Sequence, residues 1–233
     1  MTDLAKWELE GEVVEGIGRV FYKFGTAEQQ IAHFTGKGIQ VPFFADTRDM
    51  IDLRLARKED ANQLYGRTSI VPVAVVEEQT ILSRIIGPIL LPGMAATVQE
   101  LHRQGKYLEL PRGFYDSLRG IAEYEEKQGI VPEERTVVVL AEKGDHYLKK
   151  DSVQAMFVGG VHSGRYLTEF GHAEGFKVWD LSSEDLAEDK CRVNYLWSFV
   201  PAVVSGLDLG NRGLCGDYRA FGVLRGTAEG SSQ

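Results

Sequence analysis

What most constrains the fold of this chain is the order in which two hydrophobic periods follow one another. Near the start, "WELEGEVV" alternates Trp7, Leu9 and Val13 against Glu8, Glu10 and Glu12, the period of a half-buried strand. "EGIG" supplies turn glycines and "RVFYKF" reads as the returning strand, so the chain opens on a hairpin. Near the end, "VNYLWSFV" and "RAFGVL" read as strands. Between them lie two clear helical patterns. In "GMAATVQELHRQG" Met94, Val98 and Leu101 share a face and Gly105 suits the position after the helix. In "RGFYDSLRGIAEYEEKQG" Phe114, Leu118 and Ile121 do the same, between Pro111 and Gly129.

The intervening segments fit the same plan. "TAEQ" is a capping box with Thr26 as cap and Gln29 reaching back, predicting a short helix to about His33. "IQVPFF" reads as extended, with Pro42 at an edge or strand end. "SIVPVAVV" and "TILSRII" form a second hairpin that "GP" at 87 and 88 closes, and "RTVVVLAE" and "FKVWDL" are further strands. Asp151 is placed to cap a helix over "SVQAMF", and a small serine-capped helix is expected at 183 to 189. Residues 46 to 65 alternate like a strand at "MIDLRLA" and look helical at "RKEDANQLY".

Hairpins at both ends with helices grouped centrally predict an α+β fold with a mostly antiparallel mixed sheet and a central helical pair. Residues 1 to 226 are read as one domain, with residues 93 to 130 as a potential helical subdomain and 227 to 233 as a flexible tail. At 43% hydrophobic and 26% charged residues the chain has globular composition, which excludes disorder for its body. A net charge of -8 argues against binding to nucleic acid chiefly by phosphate neutralisation, although a local basic groove is compatible with it. No apolar leader opens the chain, and its longest greasy runs fall far short of the roughly 20 residues that span a bilayer. Two cysteines, Cys191 and Cys215, lack the spacing of a zinc or redox motif and read as buried thiols. The expectation is a soluble, cytoplasmic protein without membrane contact.

The stretch richest in chemistry is "FVGGVHSGRYLTEFGHAEGF", residues 157 to 176. Ser163 is placed to cap a short helix through Arg165, Leu167 and Phe170 that Gly171 ends. This sets His162 before the helix and His172 after it, roughly 10 to 15 Å apart at the rise of a helix. The pair are candidate acid and base groups, with Gly160, Ser163 and Arg165 as a candidate anion or phosphate cradle. The plainer reading makes the glycines turn residues and the histidines surface groups. Asp46, Asp49 and Asp52 would share a face if helical and could then hold Mg²⁺, or simply favour a helix N-terminus. "HFTGKG" lacks the spacing of a phosphate-binding loop, and His33 with Thr35 has no second copy of its H-x-T element.

The C-terminal "GLDLGNRGLCGDYRAFGVLRG" interleaves six glycines with Arg212, Tyr218, Arg219, Phe221 and Arg225. Arginine beside aromatic rings suits stacking on single-stranded bases, which makes Arg212, Tyr218, Arg219 and Arg225 candidate nucleic-acid contacts. This stretch resembles the glycine-rich C-terminal loops of the RNA-binding repeat-associated proteins of CRISPR effector complexes. The resemblance is confined to residues 206 to 226, does not match in spacing and assigns no family. The plainer reading is a wide hairpin turn with Phe221 in the core. No cofactor or metal motif occurs. Whether the chain is an enzyme stays open. The sequence favours a non-catalytic, self-associating or partner-bound subunit of a microbial or viral assembly, with nucleic acid as an admissible partner. The rival is a phosphoester- or nucleotide-acting enzyme using His162 and His172 with Arg165.

Overall fold

The computed structural model describes residues 5–86, 94–195, 198–209 and 217–225. They form an α+β fold with two sheets, both mostly antiparallel. The larger, of eight strands, runs β1 (Glu10–Val14), β2 (Gly18–Gly25), β13 (Tyr218–Leu224), β3 (Gly66–Arg67), β11 (Ser198–Phe199), β12 (Gly206–Asp208), β9 (Phe176–Trp179) and β8 (His146–Leu148). The smaller, of five, runs β6 (Leu108–Pro111), β10 (Lys190–Val193), β4 (Val71–Ala74), β5 (Ile81–Ser83) and β7 (Val137–Val139). Parallel pairing occurs only where β12 meets β9 and β13 meets β3 among the described strands.

The helices are α1 (Ala27–Gly36), α2 (Thr47–Ala56), α3 (Ala95–Arg103), α4 (Arg112–Lys127), α5 (Val153–Gly159) and α6 (Ser163–Glu169). They divide between two cores. Met50 and Ile51 of α2, Phe157 of α5 and Tyr166 of α6 pack with Tyr22, Phe176, Phe199 and Phe221. Phe34 of α1, Val98 of α3 and Tyr115 and Leu118 of α4 pack with Phe21, Val71, Val73 and Ala220. Neighbouring residues on β2 and β13 therefore enter opposite cores, as the alternation of a strand requires. The hairpin of β4 and β5 is buried throughout, which explains why "SIVPVAVV" is apolar without alternation.

Several local expectations need correction. In β1 the register shifts between Glu10 and Glu12, and Gly11 takes φ 95°. This bulge adds one residue, so Val14 turns inward and Val13 outward, at 73% exposure. Residues 39 to 44 form bends rather than a strand. Asp46, not the strand pattern, decides the next segment: Asp46 accepts from Arg48 N while Asp49 reaches back to Asp46 N, a capping box that starts α2. Ser152, one residue after Asp151, is the cap of α5 and accepts from Ala155 N. Residues 183 to 189 are turns. In α4 the buried face is Tyr115, Leu118, Ala122 and Glu125, and Ile121 is outside it. Polar anchors set that rotation. Tyr115 donates to Gln79 O at 2.6 Å, and the Glu125 carboxylate accepts from Thr136 N and Val137 N at 2.8 and 2.9 Å.

The capping box at Thr26 and Gln29 forms as expected, although α1 continues to Gly36. Gly105 and Gly129 follow α3 and α4 with φ 70° and 68°, the left-handed backbone that ends helices.

Candidate functional site

A short 3-10 turn, Gly160–His162, runs directly into α6. Ser163 is therefore the first residue of α6 and buried, rather than its cap. Gly160 has φ 60°, and a Cβ there would lie 3.2 Å from the Arg48 side chain. The Gly160 backbone is covered by Arg48, whose own donors go to Asp46 Oδ1 at 3.1 Å and Glu133 O at 2.6 Å.

His162 Nδ1 lies 2.6 Å from Asp52 Oδ1, both partly exposed. His172 is engaged elsewhere, with Nε2 donating to Ala202 O at 2.7 Å. Arg165 Nε donates to Glu169 Oε1 at 2.7 Å, one turn along its own helix. The structure thus gives His162, His172 and Arg165 three separate sets of partners. What it does bring to His162 is Asp52, from the aspartate series.

Asp49 and Asp52 lie on α2 and Asp46 caps it, yet the three carboxylates go to different partners. Asp46 is buried and takes a two-point contact from Arg84, Nε to Oδ2 at 2.7 Å and Nη2 to Oδ1 at 3.1 Å, together with Arg48. Asp49 pairs with Arg225 at 2.5 Å and Asp52 with His162. Burial alone would raise the Asp46 carboxyl, but the charge and hydrogen bonds of Arg84, aided by Arg48, overcome it and hold the group far below the usual carboxylate range. Burial raises Asp49 against the pull of Arg225, with the nearby Asp46 charge acting in the same direction as burial. Among the described residues no group of three or more His, Cys, Asp or Glu side chains is arranged to hold a metal ion.

At the C-terminal stretch Arg212 lies outside the described residues, as do Cys215 and the tail from 226 onward. Arg219 is stacked between the Trp7 and Tyr65 rings, 4.2 and 4.3 Å from their centroids, and donates to Gln63. Tyr218 is partly buried and meets Tyr65 edge-on, and Phe221 is fully buried against Tyr22. Arg225 is exposed but paired with Asp49. Arg219 is therefore held by two aromatic rings within cation–π distance, whereas Arg225 pairs with Asp49.

Missing from the sequence reading are the buried arginines. Arg54, Arg67, Arg84 and Arg192 are all largely or wholly inside. Their one local signal is an arginine set among apolar neighbours, as in "DLRLA", "LSRII" and "KCRVNY". Arg54 is surrounded by acceptors rather than a carboxylate, donating to Leu64 O at 2.7 Å, Tyr166 Oη at 2.8 Å and Val200 O, with its guanidinium over Phe199. The same chemistry makes Cys191 inert: its thiol is buried, which pushes its pKa up, and donates to Pro111 O. No helix among the described residues is long and apolar enough to cross a membrane. Compared with models of known families, with curated proteins and with solved structures, the chain matches none of them.

Proposed function

We propose that the chain is a non-catalytic, intracellular subunit or interaction module of a larger microbial or viral assembly. The observation that carries this reading is the condition of the eight-stranded sheet at its two margins. Both outer strands, β1 and β8, present a large exposed apolar side chain, Val13 at 73% and Tyr147 at 41%. The charges of β1 are already neutralised within the chain, Glu10 by Lys37 and Glu12 by Arg57, so they do not repel an added strand. An outer strand with unpaired backbone groups is a template for another chain. The expected result is self-association or a co-purifying partner in size-exclusion chromatography with light scattering. Val13→Lys, on the exposed face, should shift the assembly toward the free chain by about tenfold in apparent affinity, as for loss of an apolar anchor. A strict monomer that purifies alone overturns the proposal.

A second reading rests on His162 and Asp52. An imidazole that donates from Nδ1 to a carboxylate keeps Nε2 as a proton acceptor, the arrangement of a general base. This favours phosphoester chemistry at His162, without His172 and with Arg165 held by Glu169. On bis(p-nitrophenyl) phosphate, His162→Ala and Asp52→Asn should then each lower turnover, the former by about 10² or more. Absence of hydrolysis by the wild type, or an unchanged rate in His162→Ala, removes this reading.

A further inference from the structure

A cleft of about 1060 Å³ opens beside β6, the outer strand of the five-stranded sheet. It is walled by the last turn of α3 and the segment leading into β6 on one side and by residues 182 to 185 on the other, with Arg192 of β10 among its lining. Arg192 is 4% exposed, and its guanidinium lies 4.8 Å from the centroid of the Tyr107 ring. An arginine so deep in a cleft needs its donors filled.

The two sides of this guanidinium are unequally served. Nη1 donates to Ser182 O at 2.7 Å and to Asp185 Oδ1 at 2.8 Å. Nη2 reaches Glu109 Oε1 only at 3.4 Å, and the buried Nε has no hydrogen-bond partner among the described residues. The Nε and Nη2 side of arginine is shaped to receive two oxygens of one oxyanion. Here it is occupied by one long contact from a carboxylate that is itself 46% exposed. Lys106 and Arg103 line the same cleft, against Glu109, Glu184 and Asp185, and Arg103 is already paired with Glu100 at 3.1 Å. Moving Glu109 out of the cleft therefore leaves the Nε and Nη2 donors of Arg192 open, with Lys106 on the same lining.

We infer that this cleft binds a small phosphorylated molecule. Its phosphate occupies the Nε and Nη2 side of Arg192 in place of Glu109, and Lys106 supplies the second charge that a dianion requires. The lining of this cleft shares no residue with the strand margins or with the His162 site, so it stands or falls separately from both readings above.

The probe is inorganic phosphate, titrated into the full chain at constant ionic strength with chloride as the balancing anion, with acetate as a singly charged comparison. Thermal unfolding should rise saturably with phosphate and much less with acetate. Arg192→Lys, which keeps the charge but loses the fork, should weaken the effect by about tenfold or more. Glu109→Gln removes the competitor and should tighten it severalfold, and because Glu109 is half-exposed this variant tests the site even where Arg192→Lys does not fold. No saturable effect in the wild type, equal binding of acetate, or phosphate binding no tighter in Glu109→Gln overturns the inference.

Discussion

Asp46→Ala is expected to cost about 3 to 5 kcal/mol of folding stability, the penalty for breaking a buried ion pair and leaving its partner charge inside. Asp46 joins four parts of the chain. It starts α2, receives Arg84 from the segment after β5, accepts from Ser69 Oγ at 3.1 Å, and through Arg84 reaches Phe157 O in α5. Arg84 also lies over the Phe157 ring, 3.8 Å from its centroid. Without the carboxylate this guanidinium remains buried and unneutralised. The double variant Asp46→Ala with Arg84→Met should therefore recover part of the loss, because neither charge is then left alone. Denaturant unfolding of the two single variants and the double variant measures this, and a single-variant loss under about 1 kcal/mol would contradict the role given to the pair.

The same residue fixes an acid limb. The folded-state pKa of Asp46 is depressed, so its contribution is fully present above the unfolded value near 3.9 and is lost as pH falls through the folded value. Between those two values the unfolded chain binds one more proton, a slope of about 1.4 kcal/mol per pH unit. Asp49, raised by burial, acts in the opposite sense: its contribution is present below the unfolded carboxylate value and lost as pH rises through its folded value. Asp46→Asn should flatten the limb below pH 4, read from unfolding at a series of pH values.

Arg54→Ala should have an effect of similar size for a different reason. Among the described residues Arg54 has no carboxylate as a hydrogen-bond partner; it fills acceptors. Its loss leaves the carbonyls of Leu64 and Val200 without a donor, while Tyr166 keeps its contact with Ser205 Oγ at 2.5 Å. Each buried acceptor left unfilled costs about 1 to 3 kcal/mol, and the vacated volume over Phe199 adds a cavity term. A total of roughly 3 to 5 kcal/mol corresponds to a fall in Tm of about 6 to 20 °C for a chain of this size. Arg54→Met keeps the stem and removes the donors, so it should recover the cavity part alone. Equal stability of Arg54→Met and wild type would show that the hydrogen bonds carry no net weight.

The amino-acid sequence determined the local elements wherever short-range chemistry is sufficient. The box of Thr26 and Gln29, the glycines after α3 and α4, and the apolar run of β4 all act within a few residues and can be read without knowing what lies across the molecule. Mixed helix and strand in a mostly antiparallel arrangement followed from their order. Whether residues 47 to 56 coil or extend was undecided by alternation, because the same apolar positions serve either state; the reciprocal hydrogen bonds of Asp46 and Asp49 settle it. Tertiary structure alone decided that the last described strand, β13, is inserted between β2 and β3, so that chain ends far apart in sequence share one sheet. It also decided the partners of the charged side chains. A histidine or arginine in a sequence carries its chemistry but not its counterpart: Asp52 reaches His162 across 110 positions, and Arg225 reaches Asp49 across 176. The physical reason is that an ion pair or buried hydrogen bond depends on distance in space and on the removal of water, and both are set by the packing of elements that the local pattern does not encode.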